Sequence, residues 1–257
     1  MEHFMNLVLI KNIYIGIPMA ALICYLFLLF CFLNVAEKSS EVRDLKAILS
    51  ALLSWTGGAV LMRLQISPGI QFWYHVSLMG LFTIPILIYG FLFHYLDIRG
   101  KDRFLDGCMA VTVSVVLLNV FTGCILPPPE VQIMANGGIS YHYHAKTGIW
   151  LLAAAEIILL VYVTLLAHKK IGGQLEYRKK LGPLLIGTLL IMGGNILCVM
   201  PWSGDFPFDT LGGVGMAVCF VYIIYKQYLF SFSMRATTGA VYLIAVVVAF
   251  LPMIILE

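Results

Sequence analysis

Long apolar stretches decide what this chain can fold into. They run Tyr14–Leu33, Ala47–Leu64, Phe72–Phe93, Gly107–Leu126, Gly148–Ala167, Leu181–Met200, Thr210–Leu229 and Ala236–Leu256. A helix needs about 20 mainly apolar residues to cross a bilayer, whereas a strand of a membrane barrel reads as about 10 residues of alternating character. The stretches therefore predict helices. Composition agrees: 61% of residues are hydrophobic and 11% charged, against about 25% charged in soluble domains. A soluble fold cannot hide that much apolar surface. The prediction is an all-α fold, a polytopic membrane helix bundle of seven transmembrane helices. The eighth stretch is either a further crossing or the start of a connection to an output. Residues 1–235 then form one membrane domain and 236–257 a C-terminal segment. A soluble enzyme, a secreted disulfide scaffold and a nucleic-acid binder are excluded, and a net charge of +3 is too small to argue for a polyanionic partner.

Basic residues set the orientation, because Lys and Arg collect in cytoplasmic loops. Lys38, Arg43, Lys46, Arg99, Lys101, Arg103, Lys169, Lys170, Arg178, Lys179, Lys180, Lys226 and Arg235 fall on one side, and only Lys11, Arg63 and Lys146 on the other. This split predicts an outside N-terminus and cytoplasmic residues after helix seven. The first stretch is too long for the core of a signal peptide, and no small-x-small cleavage site follows in Cys31–Val35, so it reads as a retained helix. The six cysteines all lie in apolar stretches and read as small buried hydrophobes.

The outward loops carry the chemistry. Loop four reads Leu126-Pro-Pro-Pro-Glu-Val131, then a turn signal at Asn136-Gly137-Gly138, then Ile139-Ser-Tyr-His-Tyr-His144. Loop six, Trp202-Ser-Gly-Asp-Phe-Pro-Phe-Asp209, mixes two acids with three aromatics. Together they would roof a cavity with aromatic walls and a few polar groups, the usual make-up of a small-ligand site. The bland reading is that Trp73, Tyr74, Trp150 and Trp202 form an interfacial belt. Glu156 stands near the middle of helix five, where a charge costs about 2.5–3.5 kcal/mol and usually marks a function. It reads either as a ligand contact or as a hydrogen-bonding partner of Asn119 or Asn195, which themselves read as bridges between helices. The candidate ligand-binding residues are Glu156, His75, Asn119, Tyr141, Asn195, Trp150, Trp202 and Asp205. His142 and His144 with His75 supply the three imidazoles a zinc site can use, but such pairs are commonplace, and neither metal nor cofactor is expected. Pro18, Pro85 and Pro183 are candidate kinks.

Two familiar seven-helix classes fail. Helix seven has no mid-helix lysine for a Schiff base, and the end of helix three reads Phe93-His-Tyr-Leu-Asp97 rather than Asp-Arg-Tyr. The chain instead resembles the seven-helix sensor region at the N-terminus of bacterial histidine kinases and diguanylate cyclases. The resemblance is carried by Leu126-Pro-Pro-Pro-Glu-Val131, Tyr141, Tyr177-Arg-Lys-Lys180, Asp209-x-Leu-Gly212 and Tyr225-x-x-Tyr228-Leu-Phe230, and spans Phe4–Arg235. It implies a receptor without catalysis of its own, which takes a signal near the outer face and passes it to a cytoplasmic output domain or partner. Outputs of this kind work in pairs, which implies a homodimer. After Phe230 the chain departs from the family layout, with an apolar stretch where an output domain is expected. The alternative is a small transporter using Glu156 as a proton or cation site.

Overall fold

The computed structural model describes residues 2–33, 39–95, 103–123, 125–133, 139–142, 146, 148, 150, 154–155, 157–159, 161–162, 165, 175–199 and 207–227. The helices are α1 (Glu2–Leu33), α2 (Ser40–Arg63), α3 (Ile70–Tyr95), α4 (Arg103–Thr122), α5 (Leu175–Val199) and α6 (Phe208–Gln227). The described residues between 148 and 165 are helical as well. A two-stranded antiparallel hairpin, β1 (Glu130–Ile133) and β2 (Ile139–His142), follows α4. The eighth apolar stretch lies outside the described residues.

Among the described residues, three helices are long and apolar enough to cross a bilayer: residues Gly16–Leu33 of α1, and all of α2 and α3. Shorter apolar helical stretches lie at Ala110–Thr122, Gly182–Asn195 and Phe208–Tyr222. Burial supports a lipid environment. Phe121 is 84% exposed, Ile158 67% and Phe30 66%; a surface so apolar suits lipid and not water.

Local chemistry sets the helix ends. Ser39 is extended and its side chain accepts from the Val42 N–H at 3.3 Å, an N-cap supported by Glu41 in the first turn. Because that first turn is polar, α2 begins seven residues before its apolar stretch. At the other end of α4, Gly123 takes a left-handed φ of +56° and its N–H donates to the Asn119 carbonyl at 2.8 Å, which stops the helix inside an apolar run. Pro18, Pro85 and Pro183 sit inside continuous helices.

Close backbone approach welds four of these helices into two pairs. A methyl group at Gly80 of α3 would stand 2.4 Å from the Trp55 nitrogen and 2.5 Å from the Ala51 oxygen of α2. Gly58 returns the contact from α2, 2.6 Å from the Ser77 nitrogen. Two hydroxyls seal this crossing: Ser54 donates to the Val76 carbonyl and Ser77 to the Trp55 carbonyl, each at 2.9 Å. Small residues with serine hydroxyls are the usual means of close helix packing in lipid. The second pair is α5 with α6, where a methyl at Gly212 would lie 2.4 Å from the Leu190 oxygen and one at Gly194 would lie 2.5 Å from the Phe208 oxygen. The main core joins these pairs through α1, with Tyr25, Leu52, Trp55, Phe91, Met216 and Phe220 buried together. Phe91 and Phe220 stack with centroids 5.0 Å apart. A second cluster of Met62, Tyr74, Leu78, Phe82, Val116, Ile125 and Leu126 ties α2, α3 and α4 to the start of loop four.

Candidate functional site

Loop four is held by a polar anchor at what is here termed the hairpin end of the bundle. Asn119, on the last turn of α4, is 2% exposed. Its Oδ1 accepts from the N–H groups of Ile125 (2.9 Å) and Leu126 (3.0 Å), and its Nδ2 donates to the Leu126 carbonyl (3.0 Å). The Tyr74 hydroxyl of α3 meets the carbonyls of Leu126 and Pro127, each at 2.9 Å. One carbonyl thus takes donors from two helices. The Lys146 N–H reaches the Ile125 carbonyl at 3.4 Å, so the far side of the loop returns to the same point. Three prolines then keep the chain extended into β1.

The hairpin itself is two-faced. Its register sets Glu130 opposite His142, Val131 opposite Tyr141, Gln132 opposite Ser140 and Ile133 opposite Ile139. Directly paired residues share a face and alternate positions switch sides. One face therefore holds Glu130, Gln132, Ser140 and His142, and the other holds Val131, Ile133, Ile139 and Tyr141. This amphipathic ribbon continues from the anchor; His75, next to the anchoring Tyr74 on α3, is half-buried with its ring edge-on to Tyr74 at 5.5 Å.

At the opposite end, His94 Nδ1 of α3 meets Asp44 Oδ2 of α2 at 2.5 Å, with Arg43 3.6 Å from the same carboxylate. The α2–α3 pair is thus clasped at this end by the His94–Asp44 side-chain hydrogen bond and through the middle by Ser54, Ser77, Gly58 and Gly80.

Of the residues proposed from the sequence, Asn119 forms the loop-four anchor, His75 follows the anchoring Tyr74 on α3, and Tyr141 lies on β2 of the hairpin. Asn119 does not bridge two helices as expected. Its bonds satisfy backbone groups six and seven residues ahead, because the chain turns at Gly123 and would otherwise bury unpaired N–H groups. Asn195, near the end of α5, donates to the carbonyl of Ile191 one turn back at 2.8 Å, again a bond within its own helix. Trp150 is 60% exposed, as a belt residue would be. Glu156, Trp202, Asp205 and His144 lie outside the described residues. Tyr74 departs from the belt reading: it is 2% exposed and is the loop's partner on α3. Nothing in its sequence neighbourhood, Phe72-Trp-Tyr-His75, separates it from an interfacial aromatic. Among the described residues no group of three or more His, Cys, Asp or Glu could hold a metal ion.

Comparison with known proteins adds one finding. The family model described as the N-terminal seven-transmembrane region of histidine kinase matches residues 17–233. No curated protein matches the chain.

Proposed function

The chain belongs to the family of N-terminal seven-transmembrane regions of histidine kinases, and from that premise we propose that it is a membrane-embedded receptor for a small ligand bound at the hairpin end. That end faces outward, and the His94–Asp44 end faces the cytoplasm, in keeping with the distribution of Lys and Arg. The ligand sits between the amphipathic hairpin and the helix ends, near His75 and Tyr141, with Trp202, Asp205 and the acid Glu156 contributed from the neighbouring segments. Its differential affinity for two bundle arrangements shifts their populations. The change then passes to a cytoplasmic kinase or cyclase output, on this chain or on a partner, and the receptor acts as a homodimer.

The observation that carries this reading, beyond the family, is the anchor on Leu126. A loop that merely joined two helices would not need donors from both α3 and α4 on one carbonyl. With them, a displacement of the hairpin pulls on Tyr74, and through it on the α2–α3 pair that reaches the other face. The test is a thermal-unfolding screen of the full chain in lipid nanodiscs against apolar and cationic small molecules. A compound that raises the unfolding temperature of the wild type but not of His75→Ala or Glu156→Gln supports the proposal. A chain that instead moves such a compound across proteoliposomes, with uptake lost in Glu156→Gln, is a transporter and not a receptor.

A further inference from the structure

The junction of α1, α2 and α6 contains a hydroxyl that the fold leaves unsatisfied. Tyr25 is fully buried, and its hydroxyl has no hydrogen-bond partner among the described residues. Thr56 of α2, 2% exposed, has an unpartnered hydroxyl too. Buried polar groups in native proteins are nearly always satisfied, so each exception calls for an explanation. Tyr25 reaches its position only because α6 has no side chain there: a methyl at Gly213 would stand 2.7 Å from the hydroxyl, and 3.4 Å from both Leu52 Cδ2 and Trp55 Cζ3. The hydroxyl is thus pressed against bare α6 backbone in an apolar setting.

An acceptor lies one turn away. Asp209 precedes Gly213 by four residues on α6, so the two share a face, about 6 Å apart along the axis. Its Oδ1 accepts from the Thr210 N–H at 2.7 Å and from the Thr210 hydroxyl at 3.3 Å. The boundary it would have to cross is apolar. The hydrogen bonds and glycine contacts described above weld α2 to α3, and glycine contacts weld α5 to α6. Between the pairs lie the ring stack of Phe91 on Phe220 and the glycine surface at Gly213. Sliding of one packed element past another by up to a turn is an established kind of switching motion.

We propose that Tyr25 and Asp209 form a two-position catch: in the present arrangement the Tyr25 hydroxyl rests unpaired on Gly213, and in a second arrangement, with α6 displaced toward the His94–Asp44 end, it donates to the Asp209 carboxylate. The hydrogen bond gained in the second arrangement offsets the packing lost on leaving the first, so the two lie close enough in free energy for a modest stimulus to exchange them. As a route of signal transmission the catch rests on the receptor reading; as a property of the bundle it does not.

The test uses the full chain in nanodiscs with 3-fluorotyrosine placed at position 25 and observed by fluorine NMR, with no ligand needed. The expected result is two resonances, the minor one lost in Asp209→Asn and enlarged at least twofold in Gly213→Ala, whose methyl evicts the hydroxyl from its resting place. Tyr25→Phe is expected to unfold at the same temperature as the wild type or higher, because it removes an unsatisfied group. A single resonance indifferent to Asp209→Asn overturns the catch. So does a Tyr25→Phe variant that unfolds several degrees lower, since the hydroxyl would then have a partner in the resting state. Two resonances that never respond to an applied signal would leave the catch intact and count against the receptor reading alone.

Discussion

Replacing Asn119 by alanine separates two roles that the same residue could play in a membrane helix. If Asn119 bridged helices, its loss would cost about 0.6 kcal/mol, the average for such bonds in lipid. In the structure it closes a turn, and Asn119→Ala strands the N–H groups of Ile125 and Leu126, which are only 7% and 8% exposed. A buried donor left unsatisfied costs about 1–3 kcal/mol. The Leu126 carbonyl keeps Tyr74, and alanine recovers up to about 0.7 kcal/mol of helix propensity. The net expectation is a loss of about 2–4 kcal/mol, several times the bridging figure. Reversible unfolding of the full chain by SDS titration in mixed micelles measures it. Tyr74→Phe, which leaves Asn119 on the shared carbonyl, is expected to cost about 1 kcal/mol, and the two substitutions should be non-additive because they act on one acceptor. A cost below about 0.5 kcal/mol for Asn119→Ala would refute the closed-turn argument, since no relaxation of a six-residue turn could hide two orphaned donors from measurement.

Further outcomes follow from the packing. Gly80→Ala drives a methyl into α2 backbone at 2.4 Å and should destabilise the chain by about 1–3 kcal/mol, read by the same titration. Gly57→Ala, which meets only Leu22 Cδ1 at 3.4 Å, should stay within about 0.5 kcal/mol and serves as its control. His94→Ala removes one of the two partners of Asp44, leaving Arg43; with side chains 32% and 14% exposed, the lost hydrogen bond should cost about 1 kcal/mol, read by the same titration. Phe121→Ala, at a side chain 84% exposed to the surroundings of the bundle, should leave stability within about 0.5 kcal/mol.

The sequence disclosed the helices because hydropathy over 20 residues is a summed signal that single positions cannot spoil. Its errors lie at the ends, where single residues decide. The stretch Gly107–Leu126 overshoots α4 by four residues, since Ile125 and Leu126 are as apolar as the helix they leave and only Gly123, with its positive φ, breaks the run. Ala47–Leu64 misses the start of α2, since the turn capped by Ser39 is helical and polar together. The hairpin was marked by Asn136-Gly137-Gly138, but its register, and with it the pairing of Glu130 with His142, came only from the backbone. At the candidate site, Asn119 was legible as a buried polar residue and not as a turn-closing one, because the groups it binds are ordinary backbone with no sequence signature. Tyr74, Ser54, Ser77 and the His94–Asp44 clasp were illegible for a related reason. Their partners are set by the register of α2 against α3, and one sequence does not encode that register in any local pattern.

If a small molecule is held at the hairpin end of this receptor, native mass spectrometry of the intact chain in nanodiscs drawn directly from its host membrane will detect it. The expected spectrum shows a bound non-lipid molecule of constant mass, present in the wild type and lost in Glu156→Gln and His75→Ala while both variants remain folded. A molecule retained equally by both variants, or a wild-type chain that carries only lipid from every membrane in which it signals, would contradict it.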